Sequence, residues 1–591
     1  MLRTLTSIVT EFPKRTTAKA AIKFKRDHKW QEWSWQDYFQ EIETVALGLA
    51  KLGVKQGSTV AIMSNTRPEW STTDLAVLGL GAIVVPIYQN NTADDVEYIL
   101  NNSETTVLFI EGKELIPTWL NIKDKCSKIS QVIVFDSFAK TEGLLAWNEL
   151  KELGRVFKAE KADYFVNQCL KVNLEDTATL LYTSGTTGRP KGVVLTHTQL
   201  VSEVGEAFPI FGANVEDTSL SFLPYAHVLG RIEHWGHAYI GFTLAFAESI
   251  EKVKANLAEI QPTFIISVPR IFEKVYGAIW AQITTQPLKR KIFEWALSIG
   301  QEVAELRMTG QVIPLDLLAK HEVAKRVALN KIPLALGGRL RFAVSGGAPL
   351  AKEISSFFHA TGVLILEGYG LTETTAAITV NTPFNYKFGS VGRPIGDVEL
   401  KIAEDGEILV RSKKIMKEYF KNPTATKEVF TDGWFHTGDI GEIGTGGDLK
   451  ITDRKKDLIK TAGGKYVAPQ RLENLLKLNP LISQVLIHGD QKKYVVALIT
   501  LDKLQVEEIA KSKKLDYKDW TELTQNSTVQ EVVRQIVAET NAKLASFETI
   551  KRFHVLPLEF TVEGGELTPS MKVKRKALDQ RFSKEIEALY H

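Results

Sequence analysis

Ten consecutive residues concentrate the chemistry of this sequence: Thr183-Ser-Gly-Thr-Thr-Gly-Arg-Pro-Lys191-Gly192. Glycines such as Gly185 let the backbone turn tightly and bring its N–H groups close to an anion. The hydroxyls of Thr183, Ser184, Thr186 and Thr187 and the Lys191 ammonium add further donors. A loop of this kind suits phosphate oxygens. Its spacing is not that of a Walker loop, because five positions after Gly185 stands Pro190, where a second glycine followed by lysine is required.

Further segments carry compatible chemistry. In Gly368-Tyr369-Gly370-Leu371-Thr372-Glu373 an aromatic ring offers a purine a stacking surface, a hydroxyl can reach phosphate, and a carboxylate is a hard ligand for Mg²⁺. Asp439 closes the run Asp432-Gly-Trp-Phe-His-Thr-Gly-Asp439, and a carboxylate can accept from two adjacent hydroxyls. Ser345-Gly-Gly-Ala-Pro-Leu350 alone reads as a strand-to-loop turn, and Asp453-Arg-Lys-Lys-Asp457 alone as a solvated charged turn. The stretch Leu567 to Leu578 holds three lysines, 572, 574 and 576.

Taken together, these segments resemble the signatures of the adenylate-forming superfamily, which includes acyl-CoA synthetases, aryl-CoA ligases, beetle luciferases and peptide-synthetase adenylation domains. The resemblance runs in order from Thr183 to Lys576. It implies that Thr183 to Thr187 and Lys191 hold ATP phosphates, and that Gly347, Ala348 and Pro349 lie against adenine. It implies further nucleotide contacts from Gly368, Tyr369, Gly370 and Thr372, a metal role for Glu373, and ribose contacts from Asp439 and Arg454. Asp453 becomes a hinge, and Gly463 and Gly464 line the coenzyme A channel. Counting back from Arg575 and Leu578 to the family pattern Lys-x-x-Arg/Lys-x-x-Leu selects Lys572 as the catalytic lysine, with Thr183 and Glu373 beside it. His227, in Leu223-Pro-Tyr-Ala-His-Val-Leu-Gly230, resembles the residue next to the acyl carboxylate, and Trp235 is a candidate for the acyl tunnel.

The elements that must position these residues follow from periodicity. Apolar residues at Phe39, Ile42, Val45, Ala46 and Leu49 predict a helix over 37–52, stopped by Gly53. Strands at 60–63, 82–88, 106–110 and 132–135 alternate with helices at 68–79 and 94–102, which predicts an α/β fold of parallel-rich sheets covered by helices. Residues 270–335 are richer in helix formers. After Asp448 short strands take over, and Pro469 sits where a helix begins. The reading is a large N-terminal domain over 1–452 and a small C-terminal α+β domain over 453–591, which the resemblance makes mobile about residue 453.

Composition sets the remaining bounds. At 591 residues the chain exceeds one ordinary core, and a net charge of +3 excludes nucleic-acid binding driven by bulk charge. Two cysteines, Cys126 and Cys169, form neither a metal pattern nor a disulfide framework and fit a reducing cytoplasm. The apolar runs 75–88 and 235–247 are shorter than the ~20 residues of a spanning helix, which leaves peripheral contact at the inner face of a membrane open. Ser267 to Lys274, the helical segment after it, Gly337 to Arg341 and Leu567-Thr-Pro-Ser570 resemble the long-chain fatty acid–CoA ligase branch. The implied activity joins a long-chain fatty acid to coenzyme A through an acyl-adenylate, with ATP as co-substrate and Mg²⁺ as cofactor. The rivals are an acyl-AMP ligase that loads a carrier protein, a catalytically dead scaffold, and a luciferase-type oxidase.

Overall fold

The computed structural model describes residues 3–16, 19–136, 143–183, 189–284, 286–562, 564–568 and 572–591. Two large sheets organise the N-terminal lobe. In the eight-stranded sheet the neighbours are Thr59–Met63, Ile83–Ile87, Val107–Ile110, Gln131–Val134 and Leu144–Ala146, all parallel, while Thr177–Thr183 joins Ile83–Ile87 in parallel as well. Among the described residues, antiparallel pairing in this sheet appears only at one edge, where Lys191–Thr196 lies between Thr177–Thr183 and the short strand Glu418–Tyr419. A nine-stranded sheet has a parallel centre, with Thr218–Ser221, Phe264–Ser267, Phe342–Ser345 and Ile365–Tyr369 side by side. Strands paired in this way are covered on both faces, which explains their continuous apolar runs.

The helices close to expectation. Trp35–Lys51 starts in a capping box between Ser34 and Asp37, and Gly53 follows it with a φ of +90°. Pro68–Gly79 matches the predicted bounds, and each of its residues is buried, including Asp74. Burying that carboxylate requires partners. Arg231 and the Trp235 indole N–H supply them, the latter at 3.0 Å, and both are fully buried.

A third sheet contains Glu399–Ile402, Glu407–Arg411, Phe430–Thr431, Trp434–Ile443 and Leu449–Arg454. Asp453 belongs to its last strand and pairs with Ile440, so it is buried within the large lobe's sheet. The small lobe's own core begins at Ile459 and is built on Ile482–His488, Val495–Leu501 and Ile550–Val555. The first pair is antiparallel and the second parallel. Pro480 of this lobe packs on the large lobe at Gly277, in the helix Pro269–Thr284. Among the described residues no helix is long and apolar enough to cross a membrane.

Candidate active site

Three loops leave the carboxyl ends of parallel strands in the nine-stranded sheet, the edge at which open α/β sheets collect ligands. The first follows Thr218–Ser221 and leads to His227. The second follows Phe342–Ser345 and carries Gly347, Ala348 and Pro349. The third is the turn after Ile365–Tyr369. Gly347 has a φ of +80°, and Ala348 and Pro349 are exposed beside it. Gly368 and Tyr369 are the last two residues of the strand itself and pair with Val380 and Thr379.

The segment after Tyr369 is tightly constrained. A Cβ on Gly370 would stand 1.3 Å from the Ala376 carbonyl oxygen, so only glycine fits. Thr372 and Glu373 sit in a single 3₁₀ turn. Thr375 and Ala376 then adopt φ of +57° and +81°, a strained conformation for non-glycine residues. A buried ion pair holds them. The Lys414 ammonium lies 3.4 Å from Glu203 and donates to the Ala377 carbonyl at 3.1 Å, while Ala377 N–H donates to Glu203 at 3.0 Å. Burial pushes the Glu203 carboxyl up to about 7, with Lys414 opposing it.

Glu373 has a second support. The Tyr419 hydroxyl donates to its Oε1 at 2.8 Å, and Met416 N–H donates to its carbonyl at 2.7 Å. Tyr419 also offers its ring to Lys191, whose Nζ lies 4.8 Å from the centroid. The pairing Tyr419↔Val193 puts it there. Thr183 and Lys191 pair directly across the hairpin, with the Thr183 hydroxyl 3.5 Å from the Lys191 carbonyl. Ser184, Gly185, Thr186 and Thr187 lie outside the described residues.

Asp439 and Arg454 face each other across adjacent strands, 3.3 Å apart, and the Tyr369 hydroxyl donates to Asp439 at 2.7 Å. Burial lifts the Asp439 carboxyl above its usual range, with Arg454, Tyr369 and Lys572 pulling the other way. Glu407 shapes the approach to Asp439 by accepting from Gly438 N–H at 2.9 Å and from Lys455 at 2.9 Å.

Lys572 enters from the small lobe on a short hairpin, where Thr568 N–H donates to the Lys572 carbonyl at 2.8 Å. Arg575 anchors that hairpin to the small-lobe core through Glu473 and the Ile487 carbonyl, at 2.8 and 2.9 Å. Lys572 as a residue is exposed, while the groups packed around its ammonium displace part of the water that would hydrate it. Loss of hydration there and the like charge of Arg454 push it down to about 8, while Asp439 and Glu373 pull it up. Lys574 instead stands at the residue before the helix Arg575–Arg581, and Lys576 is exposed on that helix.

His227 caps the helix Val228–Ile240, its Nδ1 accepting from Leu229 N–H at 3.1 Å. The proton of the neutral ring is therefore on Nε2. Burial, with the Lys572 charge adding to it, depresses this imidazole to about 4. Trp235 lies in the core on Asp74, with Arg231 stacked over its ring at 4.6 Å. Gly463 and Gly464 form an exposed turn, Gly464 with a φ of +77°, and Gly464 N–H donates to Thr461 within the small lobe. Asp453 keeps one carboxylate oxygen without a hydrogen-bond partner among the described residues, and burial pushes its carboxyl up to about 6.

The sequence reading thus brought together Lys191, Glu373, Asp439, Arg454, Lys572 and His227. It missed Tyr419, Lys414, Glu203 and Glu407, while Arg575 served it only as a marker of the Lys572 motif. No local pattern marks them, because their partners are set by pairing and packing across the chain.

The family model described as AMP-binding enzyme matches residues 9–420, and the one described as AMP-binding enzyme C-terminal domain matches residues 456–591. The chain is 38% identical to the long-chain-fatty-acid–CoA ligase FadD15 of Mycobacterium tuberculosis, over 96% of this chain and 93% of that protein. It is 32% identical to fatty acyl-CoA synthetase A of Dictyostelium discoideum, over 95% of this chain and 87% of that one. The crystal structure of the anthranilate CoA ligase AuaEII in complex with anthranoyl-AMP shares the fold, with a TM-score of 0.73 at 21% identity, covering 100% of this chain and 98% of that chain.

Proposed function

This chain belongs to the AMP-binding enzyme family, and from that premise we propose that it joins a long-chain fatty acid to coenzyme A through an acyl-adenylate, releasing AMP and pyrophosphate. One observation carries the reading: Lys572 of the small lobe shares a cleft with Glu373, Asp439, Arg454 and His227 of the large lobe.

In the first step a carboxylate oxygen attacks the α-phosphorus of ATP, and the bond to the pyrophosphate oxygen breaks. Both reactants are anions, so the work is charge neutralisation and in-line placement. Lys572 supplies positive charge where the new bond forms. Lys191 and the loop 183–187 hold the outer phosphates, and Asp439 with Arg454 holds the ribose. Neutral His227 presents an Nε2 proton to the fatty carboxylate without adding a charge. Mg²⁺ fits this site: Glu373 offers one carboxylate, tied through Tyr419 to the strand that leads from the glycine-rich loop. That suits an ion bound through one or two carboxylates, water and substrate phosphates. When bound, it would neutralise charge on those phosphates.

In the second step the sulfur of coenzyme A attacks the acyl carbon, the thiol gives up its proton, and AMP leaves. This needs Lys572 withdrawn and the turn Gly463-Gly464 presented. We assign the exchange to rotation of the small lobe about Asp453. The exposed position of that glycine turn, with Lys572 in the cleft, supports an adenylate-forming arrangement. Incubation with ATP, Mg²⁺ and palmitate tests the assignment: pyrophosphate should appear at once, and thioester only on addition of coenzyme A. Adenylate that never becomes thioester would instead point to carrier-protein loading.

A further inference from the structure

A cavity of about 280 Å³ lies in the helical segment after residue 287, formed by different residues from the cleft above. Its walls come from the ends of Pro287–Met308 and Lys352–Ala360 and from the helices between them. Four basic side chains line it: Arg307, His321, Lys325 and His359, with Asn330 and Thr361 beside them. Lys325 pairs with Glu322 at 2.8 Å, whereas no carboxylate lies within ion-pair distance of Arg307 among the described residues. The His359 Nε2 bonds to the Tyr386 hydroxyl at 2.8 Å, and its buried Nδ1 has no hydrogen-bond partner among the described residues. Buried polar atoms are seldom left so. Lys325 also opens a π-helical stretch, Lys325–Leu329, a local form that recurs at functional sites.

Arg307 and His359 stand in the last turns of their helices, where cations ordinarily complement free carbonyls. That role accounts for Arg307, whose guanidinium is always charged. It does not explain four basic groups converging on one void. Burial and the Arg307 charge hold His359 well below its ordinary range, to about 4, so that ring is neutral near pH 7.

We propose that this cavity is a second binding site, separate from the catalytic cleft, for a phosphate group on a small molecule or a lipid headgroup. Arg307 and Lys325 provide the permanent charge, with Asn330 and Thr361 beside them. Arginine suits such a ligand because its fork matches phosphate oxygens.

Calorimetric titration of inorganic phosphate into the full chain tests this, using wild type, Arg307→Ala, Lys325→Ala, Lys320→Ala and Lys191→Ala. A saturable event should appear in wild type. It should persist in Lys320→Ala and Lys191→Ala and weaken at least tenfold in Arg307→Ala and Lys325→Ala, with ligase activity in phosphate-free buffer unchanged in the last two. Absence of binding in wild type, or binding lost in Lys191→Ala but intact in Arg307→Ala and Lys325→Ala, would overturn the proposal. Flotation with phosphatidic acid against phosphatidylcholine vesicles separates the sources. Arg307-dependent flotation identifies a lipid headgroup, and phosphate binding without flotation identifies a soluble ligand.

Discussion

The Tyr419 hydroxyl donates to Glu373 Oε1 at 2.8 Å while its ring faces the Lys191 ammonium at 4.8 Å. One side chain thus ties the carboxylate assigned to Mg²⁺ to the lysine assigned to phosphate. Tyr419→Phe keeps the ring and removes the hydrogen bond. A bond to a charged group is worth about 1.5–3 kcal/mol. The Mg²⁺ concentration for half-maximal pyrophosphate release should rise roughly ten- to a hundred-fold, by the same estimate. A titration of Mg²⁺ at saturating ATP checks this, and an unchanged half-point would remove Tyr419 from the site.

The Lys572 ammonium, held at about 8, must be protonated to neutralise the reacting oxygens. Deprotonation accompanies rising pH, so kcat/KM for ATP in the adenylation half-reaction should fall as pH passes about 8. Lys572→Arg, whose side chain stays charged, should lose that fall even if its overall rate is lower. A decline of the same shape in both proteins would assign the titration elsewhere.

Legibility in the sequence divided along physical lines. Helices such as Pro68–Gly79 and strands such as Thr59–Met63 were readable because apolar spacing and proline or glycine stops are local. The glycine-rich motifs were readable because close backbone approach restricts residue type over a few positions, as at Gly370. Long-range pairing was not readable. Nothing near Glu418 and Tyr419 signals that they add an edge strand beside Lys191–Thr196. Nor does local spacing reveal that Glu203 and Lys414 meet, fully buried, behind the turn that carries Glu373. Trp235, a candidate for the acyl tunnel, shows the same gap: its partner Asp74 lies 161 positions away.

The strained turn gives a third prediction. Gly370→Ala forces the backbone from Tyr369 to Glu373 to move, since its Cβ would meet the Ala376 carbonyl at 1.3 Å. A displacement near 1 Å in positioning groups can cost about a hundredfold in rate. Adenylation by this variant should fall by at least that factor, read as pyrophosphate release. Activity within a few-fold of wild type would show that the turn tolerates the shift.

The buried network under the helix Val228–Ile240 gives a fourth. Asp74→Ala leaves the Arg231 guanidinium fully buried without its carboxylate and also removes the acceptor for Trp235. Breaking such a pair costs about 3–5 kcal/mol. Denaturant unfolding of the large lobe should register that loss, and a change under about 1 kcal/mol would contradict the burial assigned to the pair.

The most direct test concerns Lys572 in the cleft. Lys572→Ala should be measured in two separate single-turnover reactions, palmitate with ATP and palmitoyl-adenylate with coenzyme A. Loss of one well-placed charge-stabilising group costs about 10²–10³ in rate. The first reaction should fall by at least that much, while the second should stay within a few-fold of wild type. Equal losses in both reactions, or an unimpaired first one, would contradict a lysine that serves adenylation from the small lobe and then withdraws.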